Sequence, residues 1–141
     1  MGAILKATCR CGYSAEAYTA SGRRDHGKVF EFPHLCADCA EVVSADLLAE
    51  RVQCPKCGGS AITRYGVAIK EIPFGWWPRL LAHITGAQRR RDLQMARLKA
   101  TLVDNSYCYR HNTTYGINGD PSMCPKCGQQ DLLFYLTGLF D

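Results

Sequence analysis

The sequence predicts a small, β-rich fold of two cysteine-bearing modules joined by a helical segment. Three observations carry this prediction. Nine cysteines and one histidine fall into five short pairs: Cys9-x-Cys11, Cys36-x-x-Cys39, Cys54-x-x-Cys57, Cys108-x-x-His111 and Cys124-x-x-Cys127. Three pairs lie in residues 1–66 and two in 105–141, while 67–104 contains no cysteine. Around the pairs the chain runs in short apolar stretches broken by Gly and Pro, and only the middle segment shows helical periodicity.

In the first module, residues 4–8 read as a strand leading into Cys9-Arg10-Cys11-Gly12, and 13–19 as its return. Gly12 stands where such a turn needs a positive φ. Residues 21–28 form a loop, and Phe30-Glu31-Phe32-Pro33 brings the chain to Cys36. Residues 42–48 suit a strand or a short helix, and 61–65 a strand after Cys54-Pro55-Lys56-Cys57-Gly58-Gly59. In the middle, Pro73, Gly75 and Pro78 forbid a regular element around Trp76 and Trp77. From 88 to 103, Leu93, Ala96, Ala100 and Val103 fit one helical stripe, widened by Met95, Leu98 and Leu102. In the last module, 113–117 is a strand, Asn118-Gly119 a hairpin turn, and 132–136 a final apolar strand. The closing apolar residues are expected to pack back on a neighbour.

Pairs of this spacing supply ligands to structural zinc, which takes four in a closed tetrahedral site. Cys108, His111, Cys124 and Cys127 make one such set, with the Asn-Gly turn between the two pairs. For the first module the reading favours Cys36 and Cys39 with Cys54 and Cys57. Cys9 and Cys11 remain alternative ligands, with Cys54 and Cys57 or with Cys36 and Cys39. A further metal completed by His26 or His34 also stays open. Two zinc ions use eight of the ten candidates. If Cys9 and Cys11 are surplus, they form a dithiol flanking Arg10, whose guanidinium favours the thiolate.

No signal-like segment precedes Cys9, and no apolar run has transmembrane length. The expected compartment is therefore the cytoplasm, where paired cysteines serve metals rather than disulfides. The formal charge is +4. Arg79, Arg89, Arg90, Arg91, Arg97 and Lys99 stand against Asp92 alone in one stretch of the middle segment, so the remainder of the chain is close to neutral.

The Cys9-Arg10-Cys11-Gly12-Tyr13, Phe32-Pro33-x-Leu35-Cys36, Cys54-Pro55-Lys56-Cys57-Gly58 and Cys124-Pro125-Lys126-Cys127-Gly128 stretches resemble those of zinc-ribbon proteins, as does the Gly138-Leu139-Phe140-Asp141 ending. The chain looks most like small uncharacterised bacterial proteins with an N-terminal and a C-terminal zinc-ribbon module. The resemblance covers the two ends and not 67–104. It implies zinc and fold, and no reaction, since such ribbons occur in transcription factors, ribosomal proteins and enzyme subunits alike.

The resulting expectation is a non-enzymatic zinc-binding adaptor. Arg89, Arg90, Arg91 and Arg97, with Trp76 and Trp77 beside them, would contact nucleic acid or an acidic protein surface. The alternatives are a redox- or metal-responsive protein using the Cys9–Cys11 dithiol, and a structural subunit of a larger assembly. No paired carboxylates, phosphate-binding glycine loop or activated nucleophile point to an enzyme or a small-molecule substrate.

Overall fold

The computed structural model describes residues 2–22, 27–70 and 87–140. Among these residues are ten strands: β1 (Gly2–Thr8), β2 (Ser14–Thr19), β3 (Glu31–Cys36), β4 (Glu41–Asp46), β5 (Ile62–Arg64), β6 (Val67–Lys70), β7 (Leu102–Cys108), β8 (Thr113–Asn118), β9 (Ser122–Met123) and β10 (Gln130–Phe140). One helix, α1 (Ala87–Ala100), precedes β7. Three sheets result, with strand orders β2-β1-β10-β9, β4-β3-β5 and β6-β8-β7.

The first sheet joins the two ends of the chain. β1 runs antiparallel to β10, from Gly2 opposite Phe140 to Thr8 opposite Leu133. The expected return of the closing apolar residues is seen here: the Phe140 ring covers Gly2, where any Cβ would lie 2.4 Å from a ring carbon, and meets Tyr18 edge-on at 5.7 Å. Segments 1–66 and 105–141, separate modules in the sequence reading, thus share a sheet.

The first two sheets contain the same unit. A hairpin carries a cysteine pair at its tip, and a third strand, preceded by Cys-Pro-Lys-Cys-Gly, pairs antiparallel with the first strand. In one copy this is β2-β1-β10; in the other it is β4-β3-β5. The second copy is continuous in sequence and lies inside the first. Pro33 sits in the middle strand of that copy. It lacks an N–H, yet its carbonyl still accepts from Tyr65 N–H at 3.1 Å, which keeps the ladder going past the end of β5.

All three sheets feed one core. Phe30 and Phe32 from around β3 pack on Tyr115 of β8 at 5.5 and 5.6 Å between ring centres. Tyr65 packs on Phe134 of β10 at 5.2 Å, and Leu5, Ile117 and Leu132 are fully buried beside them. A smaller cluster of Cys36, Val43 and Cys54, flanked by Cys39 and Ile62, belongs to the inner copy alone. The copies are tied by Val42 N–H donating to the Tyr13 hydroxyl at 2.8 Å and Tyr18 N–H donating to Ser44 Oγ at 2.7 Å.

Several expectations change. Residues 42–48 resolve to a strand over most of their length. The helical pattern through Val103 stops at Ala100, where Thr101 closes the helix by donating its N–H and its hydroxyl to the Leu98 carbonyl, and Leu102 opens β7. The apolar stripe does not face the core: Leu93 is 52% and Leu98 43% exposed. A pattern of spaced leucines is only a capacity for burial, and the three sheets already fill the core. Asn118-Gly119 does not join paired strands either, because β8 and β9 lie in different sheets and the chain changes sheet there. β6, in the segment read as linker, pairs with β8. Among the described residues, no helix is long and apolar enough to cross a membrane.

Candidate metal centres

Each ribbon copy brings four sulfur atoms together at one end of its sheet. In the outer copy Cys9 and Cys11 from the β1–β2 tip meet Cys124 and Cys127 from the β9–β10 turn. In the inner copy Cys36 and Cys39 from the β3–β4 tip meet Cys54 and Cys57. Within each group all four Sγ atoms lie within 4.8 Å of one another. The Cys9–Cys127 and Cys11–Cys124 contacts are both 3.7 Å; Cys36–Cys57 and Cys39–Cys54 are 3.6 and 3.7 Å.

These distances discriminate between chemistries. A disulfide needs about 2.05 Å between sulfurs. Four thiolates about 2.3 Å from one zinc at tetrahedral angles stand about 3.8 Å apart. The geometry therefore suits a shared metal, and a set of four soft thiolates selects zinc over hard cations. Both groups could hold a metal ion, with all four tetrahedral positions taken by sulfur. Such a closed site holds structure together and leaves no place for water or substrate.

The local backbone explains why these sequences fold this way. In both Cys-Pro-Lys-Cys-Gly turns the glycine N–H returns to the carbonyl of the first cysteine, at 2.9 Å for Gly58 to Cys54 and for Gly128 to Cys124. The first cysteine's N–H then closes the turn on the residue after the glycine, Gly59 or Gln129. The glycines have φ of +71° and +70°, and Gly12 has +83°. Ala40 takes the same role after Cys39 at +51°, at some steric cost.

Burial disfavours the Cys54 and Cys124 thiolates. Backbone N–H groups of Cys57 and Lys56, and of Cys127 and Lys126, outweigh it together with neighbouring thiols and bring both pKa values down to about 7. Cys39 moves the other way, to about 12, through the Cys36 thiol, its burial and the Cys54 thiol. Cys9 also rises to about 12: the Cys11 N–H pulls it down, but burial and the thiols of Cys11, Cys124 and Cys127 prevail. Each group thus has one cysteine below the ordinary thiol value and another above it. Lys56 reaches from its turn to the Glu41 carboxylate.

The structure brings together Cys36, Cys39, Cys54 and Cys57, the set the sequence reading favoured. It does not assemble Cys108 and His111 with Cys124 and Cys127. β10 pairs along β1, which carries the Cys124–Cys127 turn to Cys9 and Cys11, whereas the β7–β8 hairpin bearing Cys108 and His111 belongs to another sheet. Cys9 and Cys11 group with Cys124 and Cys127, and Cys108 and His111 lie in neither four-cysteine group. His111 Nδ1 lies 2.8 Å from the Tyr115 hydroxyl, and Cys108 is buried in the shared core. His34 joins neither group: its ring is buried, with Nδ1 donating to the Phe32 carbonyl at 2.7 Å. His26, Trp76 and Trp77 lie outside the described residues. Arg89, Arg90, Arg91 and Arg97 fall within α1, and Arg97 is exposed. The pairing of the two ends had one signal in the sequence: Cys9-x-Cys11-Gly12 and the Cys-Pro-Lys-Cys-Gly turns share the terminal Cys-Gly.

Searches against protein-family models, curated proteins and solved structures find no match to this chain.

Proposed function

We propose that this protein is a non-enzymatic adaptor whose two four-cysteine groups bind zinc and whose helix α1 contacts nucleic acid. The observation that carries the reading is the position of α1. Of its described side chains, Asp92, Leu93, Gln94, Ala96, Arg97, Leu98 and Ala100 are exposed and only Met95 is half-buried. The helix carries five basic residues and one acidic residue, and its described side chains give almost nothing to the core, which supports a surface that meets a partner. The closed four-sulfur geometry supports a scaffolding role for the metal rather than a catalytic one. Metal would supply folding free energy to modules whose own apolar cores are small. An acidic protein surface is the second reading, favoured by exposed Leu93 and Leu98, which phosphate contacts do not use.

The test is binding of the zinc-loaded protein to short single- and double-stranded oligonucleotides across a salt series. The expected result is affinity that falls steeply with salt, and that the triple substitution of Arg89, Arg90 and Arg91 by Glu abolishes. Absence of binding at low salt removes nucleic acid and leaves the protein surface.

A further inference from the structure

The hairpin left over from the two four-cysteine groups is built like the hairpins that form them. Cys108 and His111 stand at the β7–β8 tip with the same two-residue spacing as Cys36 and Cys39 at the β3–β4 tip. Asn112, the next residue, has φ of +47°, matching Ala40 at +51° and the glycines after the other pairs. The exposure pattern matches too. Cys108 is 3% exposed, as Cys36, Cys54 and Cys124 are at 0–2%, while His111 is exposed like Cys11, Cys57 and Cys127. Cys108, Tyr109 and Arg110 line a cavity of about 390 Å³ that opens beside the tip.

The histidine is also held as a ligand is held. Its Nδ1 is bonded to the hydroxyl of Tyr115, a residue fixed in the core by Phe30 and Phe32. A second partner of this kind sets the ring orientation of metal-bound histidines and leaves Nε2 for the metal. In both complete ribbons, a tip of this form faces a Cys-Pro-Lys-Cys turn that supplies two more ligands. Among the described residues the β7–β8 tip faces none, because its third strand, β6, pairs with β8 and brings no cysteine pair.

We propose that Cys108 and His111 are half of a third zinc site, completed by Cys108 and His111 of a second copy of this chain. A two-fold axis would set the two tips face to face, as the outer ribbon sets Cys9–Cys11 against Cys124–Cys127. The product is a tetrahedral site of two cysteines and two histidines bridging two chains, a ligand set zinc uses in structural sites. The surface around the tip suits this occupant. Tyr109 is 74% and Tyr107 36% exposed, stacked edge-to-face at 4.8 Å, and the contact would cover both. Arg110 stands immediately before His111, as Arg10 and Lys126 stand before Cys11 and Cys127 in the outer ribbon. The proposal rests on zinc occupying the two four-cysteine groups.

The experiment follows zinc content and molecular mass together, by metal analysis and sedimentation, as zinc is added to the purified full chain. The expected result is two zinc ions per monomer, then a dimer that takes up one more zinc per pair. His111→Ala should keep the two intrachain metals and weaken zinc-dependent dimerisation at least about a hundredfold. His111→Cys should keep the metals and restore the dimer. A chain that stays monomeric with two zincs in excess metal, a third zinc bound by a monomer, or a dimer that survives in His111→Ala overturns the proposal. A chain that holds no zinc at all overturns the reading of the four-cysteine groups, and this proposal with it.

Discussion

The outer and inner ribbons have the same strand order, the same Cys-Pro-Lys-Cys-Gly turn and nearly the same sulfur geometry, yet they differ in the length of chain they close. Cys39 and Cys54 of the inner ribbon are 15 residues apart, whereas Cys11 and Cys124 of the outer ribbon are 113 apart. With loop-closure entropy growing as the logarithm of length, the outer centre starts about 2 kcal/mol behind. The inner ribbon also has its own cluster of Cys36, Val43 and Cys54, while Leu5, Ala7, Ala17, Cys124, Leu132 and Phe134 of the outer ribbon belong to the core shared with the other sheets. Equal ligand chemistry therefore does not imply equal stability. The inner ribbon is a unit that can stand first, and the outer ribbon closes over it.

The largest expected effect tests this hierarchy. Cys124→Ser should cost one zinc and release β1 from β10, with the inner ribbon still folded. Cys54→Ser should cost both, because Phe30 and Phe32 leave the shared core with it. Zinc content and amide spectral dispersion decide the matter, and loss of both metals from Cys124→Ser would make the ribbons one cooperative unit. In the native protein the same hierarchy predicts that a chelator strips the outer centre first.

A smaller effect compares the turns themselves. Gly12→Ala forces a side chain into φ +83° and should destabilise the outer ribbon by about 1–2 kcal/mol. Ala40→Gly relieves the same conformation in the inner ribbon and should raise its stability by less than about 1 kcal/mol. Thermal denaturation of the two variants at saturating zinc would show opposite signs; a common sign would mean the turns do not limit either centre.

The smallest effect is a pH dependence confined to the inner ribbon. Burial lowers the His34 pKa below its usual 6.5; the bond to the Phe32 carbonyl opposes this and Arg64 adds to it. The unfolded chain therefore takes up a proton that the folded chain refuses. The stability involved is complete above about pH 6.5 and declines as pH falls below it. His34→Gln, whose amide can still donate to the carbonyl, should flatten the slope of stability between about pH 7.5 and 6 at saturating zinc. An unchanged slope would assign the acid sensitivity to the thiols alone.

Much of this was legible in the sequence because it is local. Cys36-x-x-Cys39, the turn glycines and the strands around them are fixed by neighbours within a few residues, and those elements lie where their spacing puts them. What was not legible depends on distant partners. Nothing near Cys124 says that its strand lies against residues 2–8, and the nearer pair, Cys108 and His111, has the better spacing. The leucines of α1 have the period of a buried face, but whether a face is buried depends on what else competes for the core. Tyr115, which anchors His111 and receives Phe30 and Phe32, carries no mark in the sequence of either role.

The nesting of one ribbon inside the other also imposes an order in time. At about 5–20 residues per second, synthesis carries the chain from Cys11 to Cys124 in about 6–23 s. Throughout that interval Cys9 and Cys11 wait without their partners, while Cys36, Cys39, Cys54 and Cys57 become complete and can take a metal. Early closure of the inner centre around a metal would remove four thiols that otherwise compete for the waiting pair, so the arrangement expected to make the outer ribbon weaker at equilibrium would also keep its ligands from the wrong partners while the chain is made.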